Sequence, residues 1–157
     1  MRHRPLADVG KISFIAAMVA QKTDFGKTLE QLTGLRAGDP SDAPTELVEG
    51  ILRSWKKPLN DLSNEEICDL VIQHDGYPFV LDLVFPKLET NPLFDGGHYP
   101  GDVLSVLIRA DPEIWAERPQ YKAALQSLYQ RALHGSTDDV WGFRDSLGLP
   151  ESGVQAN

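Results

Sequence analysis

The chain has a single cysteine, Cys68, among its 157 residues. No internal disulfide can form, so the fold must rest on a buried core, and a reducing cytoplasm is the simplest expected compartment. Long apolar runs are missing as well. The longest, Ile12 to Ala20, falls well short of the about 20 residues that span a bilayer. It reads as a short helix or a strand. Arg2 and Arg4 precede it, but Asp8 and Lys11 interrupt the approach and no small-x-small site follows, so it does not read as a signal peptide. Met18 offers an alternative start. Internal repeats and low-complexity tracts are also lacking. Basic charge is scarce: 15 Lys+Arg stand against 23 Asp+Glu, a formal net of −8. Such a chain is repelled by nucleic acid and anionic membranes and attracted to basic partners.

What is present is a composition with 41% hydrophobic residues, enough for one ordinary globular core. The charge is unevenly spread. Residues 1–60 hold nine basic and seven acidic side chains, a net of +2. Residues 61–117 hold twelve acidic side chains against Lys87 and Arg109, a net of −10. Residues 118–157 hold four of each.

The hydrophobic pattern predicts helices. Lys27–Thr33 is a short one closed by Gly34. The segment Gly34–Pro44 is rich in Gly, Pro, Ser and Asp and reads as a loop. Pro44 then opens a helix after a cap at Ser41 or Asp42. Leu47, Val48, Ile51, Leu52 and Trp55 form its apolar face. Ser63 and Glu66 are spaced as a capping box, with Leu62 and Ile67 as its hydrophobic staple. Ile67, Leu70, Val71 and His74 continue that face to a stop at Asp75-Gly76. Pro78–Leu88 reads as a helix, kinked or restarted near Pro86, and Asn91-Pro92 ends it. Phe94–Gly101 is a loop, and Asp102 is expected to cap Val103–Arg109. Asp111-Pro112-Glu113 opens a short helix through Trp115. Pro119 starts a regular helix whose buried stripe is Tyr121, Ala124, Leu125, Leu128 and Ala132, terminated by Gly135. Thr137-Asp138-Asp139 opens the last, with Val140, Trp141, Phe143 and Leu147, ended by Gly148 and Pro150. The class is all-α: a single-domain bundle of about seven or eight short helices.

Catalytic signatures are few. Gly26-Lys27-Thr28 has Gln21 where a phosphate loop needs glycine, and Asp24-Phe25-Gly26 lacks every companion kinase motif. No histidine pairs with another at i+4 and no Cys-x-x-Cys occurs, which argues against zinc and calls for no metal or cofactor. His74-Asp75 matches the metal-binding dipeptide of phosphohydrolases, but His3 is its only upstream histidine partner. Cys68, among Ile67, Leu70 and Val71, reads as a packed thiol. Arg53, Lys56 and Lys57 near Trp55 read as a solvated helix end.

Three groups of residues carry a resemblance. The first is Lys27-Thr28-Leu29-Glu30-Gln31-Leu32-Thr33-Gly34. The second is Pro58-Leu59-Asn60-Asp61-Leu62-Ser63-Asn64-Glu65-Glu66, leading to Ile72-Gln73. The third is Asn91-Pro92-Leu93, then His98-Tyr99-Pro100-Gly101-Asp102-Val103-Leu104 and Trp115. In this order and spacing, residues 26–133 resemble the immunity proteins of bacterial contact-dependent growth inhibition (CDI) systems. The family's Gly-Asp-Leu-Leu reads Gly-Asp-Val-Leu here. The resemblance implies residues 1–24 as an N-terminal extension, 25–148 as a helical immunity domain and 149–157 as a polar tail.

The resemblance further implies a protein without catalysis that binds the C-terminal toxin domain of a cognate effector, 1:1, in the cytoplasm, with no direct nucleic-acid or membrane partner. Many such toxins are nucleases, several of them acting on tRNA. A nuclease site is basic because it binds phosphates, and an acidic inhibitor complements it. The candidate toxin contacts are Glu65, Asp69, Asp75, Asp95 and Asp102. Glu65 and Asp69 share a helix face opposite the apolar stripe, and Asp75 and Asp95 lie in loops. Gln73, Pro92, Tyr99, Pro100, Gly101 and Asp102 read as structural parts of the family motif. Two alternatives compete: a metal-dependent phosphohydrolase using His74-Asp75, and a helical adaptor with an unrelated partner.

Overall fold

The first three helices begin where a side chain takes up a free amide of the first turn. The computed structural model describes residues 23–134 and 137–149; the expectations for Ile12–Ala20, Gly135 and Pro150 lie outside them. Helix α1 (Leu29–Thr33) starts with a capping box between Thr28 and Gln31 and ends on Gly34 at φ +77°. Helix α2 (Glu46–Ser54) is capped by Thr45, whose Oγ1 accepts from the Val48 N–H at 3.1 Å. This corrects the expected start. Ser41 and Asp42 belong instead to a separate 3₁₀ turn, Pro40–Asp42, capped by Asp39, and Pro44 precedes the helix. Thr45 wins because it stands directly before the apolar face.

Helix α3 (Asn64–Ile72) carries the predicted capping box: the Glu66 N–H donates to Ser63 Oγ at 3.1 Å, and the Ser63 N–H donates to Glu66 Oε1 at 2.9 Å. Leu62 and Ile67, the staple pair, are both buried. The face ends sooner than expected. His74 is exposed, with φ +54°. Its N–H reaches Val71 O at 3.0 Å and the Asp75 N–H reaches Leu70 O at 2.9 Å, a Schellman closure with histidine in the usual glycine place.

Helix α4 (Phe79–Thr90) is one continuous element with Pro86 inside it, on the exposed side, and it is not restarted there. Helices α5 (Asp102–Arg109), α6 (Pro119–Leu133) and α7 (Thr137–Ser146) follow, with a 3₁₀ turn at Pro112–Trp115 capped by Asp111. A further 3₁₀ turn, Leu59–Asp61, precedes α3. The described residues hold seven α-helices and no strand. The all-α expectation is met.

Helix α3 lies at the centre. It packs against α2, α4 and α5, while α7 covers α5 and α6 joins α4 to α7. The core is built from Leu29, Leu59, Ile67, Leu70, Leu81, Leu88, Leu104, Leu107, Leu128 and Phe143, each 1% exposed or less. Each such side chain contributes about 1.5–3 kcal/mol of transfer free energy. Two expected core residues face outward: Leu47 is 45% exposed and Trp141 57%. The segment entering α1 runs beside the chain entering α3. The Leu59 N–H donates to Lys27 O at 3.0 Å and the Asn60 N–H to Phe25 O at 2.9 Å.

Candidate functional site

The loop from Asn91 to Gly101 links α4 to α5 and is folded around one carboxylate. Asp102 is 3% exposed. Its Oδ1 accepts from the Gly96 N–H at 2.7 Å and its Oδ2 from the His98 N–H at 3.0 Å. The expectation that Asp102 caps its own helix is therefore corrected. Gly101 stands at the cap with φ +91°, no side-chain cap bond forms, and Asp102 is the first residue of α5. The left-handed turn at Gly101 aims the Asp102 side chain back over the preceding loop rather than along its own helix.

Glycines let that loop lie close to its neighbours. A Cβ on Gly96 would fall 2.5 Å from Cys68 Cβ, and one on Gly101 would fall 2.9 Å from Phe143 Cβ. Tyr99 lies against Gly142 of α7, its hydroxyl 3.4 Å from Ser105 Oγ. Ser105 Oγ lies 2.8 Å from Ser146 Oγ, tying α5 to the end of α7. Pro92 and Pro100 are half-buried, and Gln73 is exposed at the end of α3.

The acidic block changes once it is folded. Asp82 and Asp102 are buried. Glu66 pairs with Lys57 at 2.7 Å and Glu89 with Arg131 at 3.2 Å, both cations lying outside the block. Glu65, Asp69 and Asp95 remain on one side of the molecule. Glu65 is exposed on α3, Asp69 is half-buried one turn later, and Asp95 is exposed in the loop resting on α3. A Cβ on Gly97 would fall 2.7 Å from Glu65 Cγ, so loop and helix meet at Glu65. Asp95 Oδ1 accepts from the Gly97 N–H at 2.7 Å. Burial pushes the Asp69 carboxyl above its ordinary range, opposed by nearby His98 and assisted by Glu65 and Glu66. Asp75 stands apart, half-buried beyond the other end of α3. Asp102 lies behind the face, and its burial withdraws it from the contact candidates.

A family model of CDI immunity proteins matches residues 31–125. The chain belongs to this family. The match runs from α1 into α6 and includes both the Asp102 loop and the acidic face, and it falls inside the 26–133 stretch that carries the sequence motifs. No curated protein and no solved structure matches. As a CDI immunity protein, it acts by binding and neutralising the toxin of such a system. No helix among the described residues is long and apolar enough to cross a membrane.

The catalytic alternative finds little support in this immunity protein. Among the described residues, His74 and Asp75 belong to no cluster of three ligand-bearing side chains. The His74 ring instead meets Tyr77 edge-on, with centroids 5.9 Å apart. Burial, with Asp102 and Asp69 adding, pushes the Cys68 thiol up to about 12, far from a working nucleophile.

One feature of the immunity protein escaped the sequence reading. Asp82, on α4, is 4% exposed. Arg118 grips it with two bonds, Nε to Oδ1 and Nη2 to Oδ2, each 2.9 Å. The Tyr121 hydroxyl donates to Oδ1 at 2.7 Å and Thr23 Oγ1 to Oδ2 at 2.5 Å. The Tyr121 ring stacks on Phe85 with centroids 4.1 Å apart. Four donors on one carboxylate make this a structural joint between α4 and α6. The available signal was a lone carboxylate inside the apolar run Phe79–Phe85, which a helix core admits only when paired.

Proposed function

We propose that this immunity protein neutralises a nuclease toxin in the cytoplasm by laying the face of Glu65, Asp69 and Asp95 over the toxin's basic phosphate-binding site, in a 1:1 complex. An RNase acting on tRNA has the required chemistry. The observation that carries the reading is that these three carboxylates gather on one side of α3 and its loop, whereas Glu66 and Glu89 are paired with cations from outside the block. Fixed carboxylates substitute for substrate phosphates and speed encounter with a basic surface. The Asp102 loop holds Asp95 in place, and Asp75 extends the negative field at the far end of α3.

The experiment is co-purification with the toxin domain of the cognate effector, followed by charge reversal. Glu65→Lys with Asp95→Lys should weaken the complex at least tenfold, mainly by slowing association, and flatten its dependence on salt. Asp75→Lys should act more weakly. Unchanged affinity in the double reversal would move the interface elsewhere, and a toxin without a basic phosphate site would end the nuclease reading.

A further inference from the structure

We infer that Cys68, His98 and Asp102 form a binding site for a zinc-like divalent cation that pins the 95–101 loop to α3 and α5. The sequence placed no ligand set together, because these residues are 30 and 34 positions apart across α3 and the loop. The fold brings their donor atoms into one triangle. Cys68 Sγ lies 3.9 Å from His98 Nδ1 and 3.8 Å from Asp102 Oδ2, and His98 Nδ1 lies 3.4 Å from Asp102 Oδ2. A tetrahedral zinc ion, with bonds of about 2.0–2.3 Å, sets its ligand atoms about 3.3–3.6 Å apart. The N···O edge of 3.4 Å falls in that range, and the two sulfur edges, 3.8 and 3.9 Å, exceed it by a few tenths of an ångström. The N···O edge is also longer than the usual 2.7–3.2 Å hydrogen bond. Three polar atoms thus converge on a common centre, held only by a long thiol hydrogen bond from Cys68 to Asp102 and long contacts to His98, which a cation would replace.

The surroundings have the character of a metal site. The Gly96 and His98 amides hold the two oxygens of Asp102, fixing the carboxylate's rotation. The second lone pair of Oδ2 faces the Cys68 thiol at 3.8 Å and becomes available to a cation when that thiol gives up its proton. Gly96 is the one residue type that lets the loop come this close to Cys68. The His98 side chain is 58% exposed, which opens an entry path and leaves a fourth position for water. Sulfur, imidazole and carboxylate together suit zinc or cobalt and not calcium or magnesium. Binding breaks the Cys68 S–H bond and forms an S–metal bond. The proton leaves to solvent, and nothing is oxidised or reduced.

The test is titration of the full-length protein with Co²⁺, followed by absorption spectroscopy. One equivalent should produce a thiolate-to-cobalt charge-transfer band, release one proton, and be displaced by Zn²⁺. Cys68→Ser should abolish the band, and His98→Ala should weaken binding at least tenfold. His74→Ala should change neither. Should Cys68→Ser fail to fold, His98→Ala decides, because that ring is exposed. A protein that shows no charge-transfer band, or binds cobalt as tightly after His98→Ala, overturns the site. Neither result depends on the toxin.

Discussion

Asp82 and Asp102 are the two buried carboxylates among the described residues, and they are satisfied in opposite ways. Asp102 accepts from main-chain amides within six residues of itself, at Gly96 and His98. Asp82 accepts from side chains 36, 39 and 59 positions away, at Arg118, Tyr121 and Thr23. One organises a loop; the other joins distant parts of the chain. Amide donors belong to the backbone and survive most substitutions. Side-chain donors are lost with a single one.

The sharpest way to break this contrast is Arg118→Ala. It strands a buried negative charge and should cost about 3–5 kcal/mol in urea denaturation. Adding Asp82→Asn to that background should recover part of the loss, since a neutral amide needs no cation. If Arg118→Ala stayed within about 1 kcal/mol of the parent, the joint would not be structural.

Next comes Asp102→Ala, which leaves two amides without acceptors and should cost about 2 kcal/mol. Its effect should be local. Hydrogen exchange should accelerate at Gly96 and His98 while α4 and α6 stay protected, and equal acceleration everywhere would erase the distinction.

The smallest effect belongs to Glu66, a partly exposed carboxylate that calibrates the scale. Burial alone would raise its carboxyl, but Lys57 and the Ser63 amide outweigh burial and hold it below the ordinary value. Its contribution is therefore present above the ordinary carboxylate range and is lost as pH falls through the lowered value. Lys57→Ala should cost under about 1 kcal/mol near neutrality. It should cost less still in acid, where a cost that grew instead would reverse the sign.

The same contrast explains what could be read from the chain in advance. Ser63 and Glu66 were legible because a capping box is a four-residue local pattern. The loop at His98–Asp102 was partly legible: its turn at Gly101 was expected, but the direction of the Asp102 carboxylate depends on a positive φ that composition does not encode. The cap was expected at Ser41 or Asp42 and lies at Thr45, because all three are good capping residues and only packing decides among them. His74 was placed on the apolar face by periodicity, which cannot see a Schellman closure. Asp82 with Arg118, and Cys68 with His98, were invisible because their partners meet only through the tertiary fold. The acidic block was correct as a sum and misleading as a surface, since two of its members are buried and two are paired.

Thr23 holds Asp82 from one end of the described chain, and Phe143 seats against Gly101 from the other. Both lie outside the matched stretch of 31–125. So do Leu29 and Leu128, each fully buried. The part of the molecule that signs its ancestry is therefore smaller than the part that shares its core. A chimera that exchanged only the signature between relatives would carry Arg118 and Tyr121 along with Asp82 but would leave behind the Thr23 that completes the joint and the Phe143 that backs the Gly101 turn. A graft that keeps the core whole has to bring the flanking Thr23, Leu29, Leu128 and Phe143 along with the matched stretch.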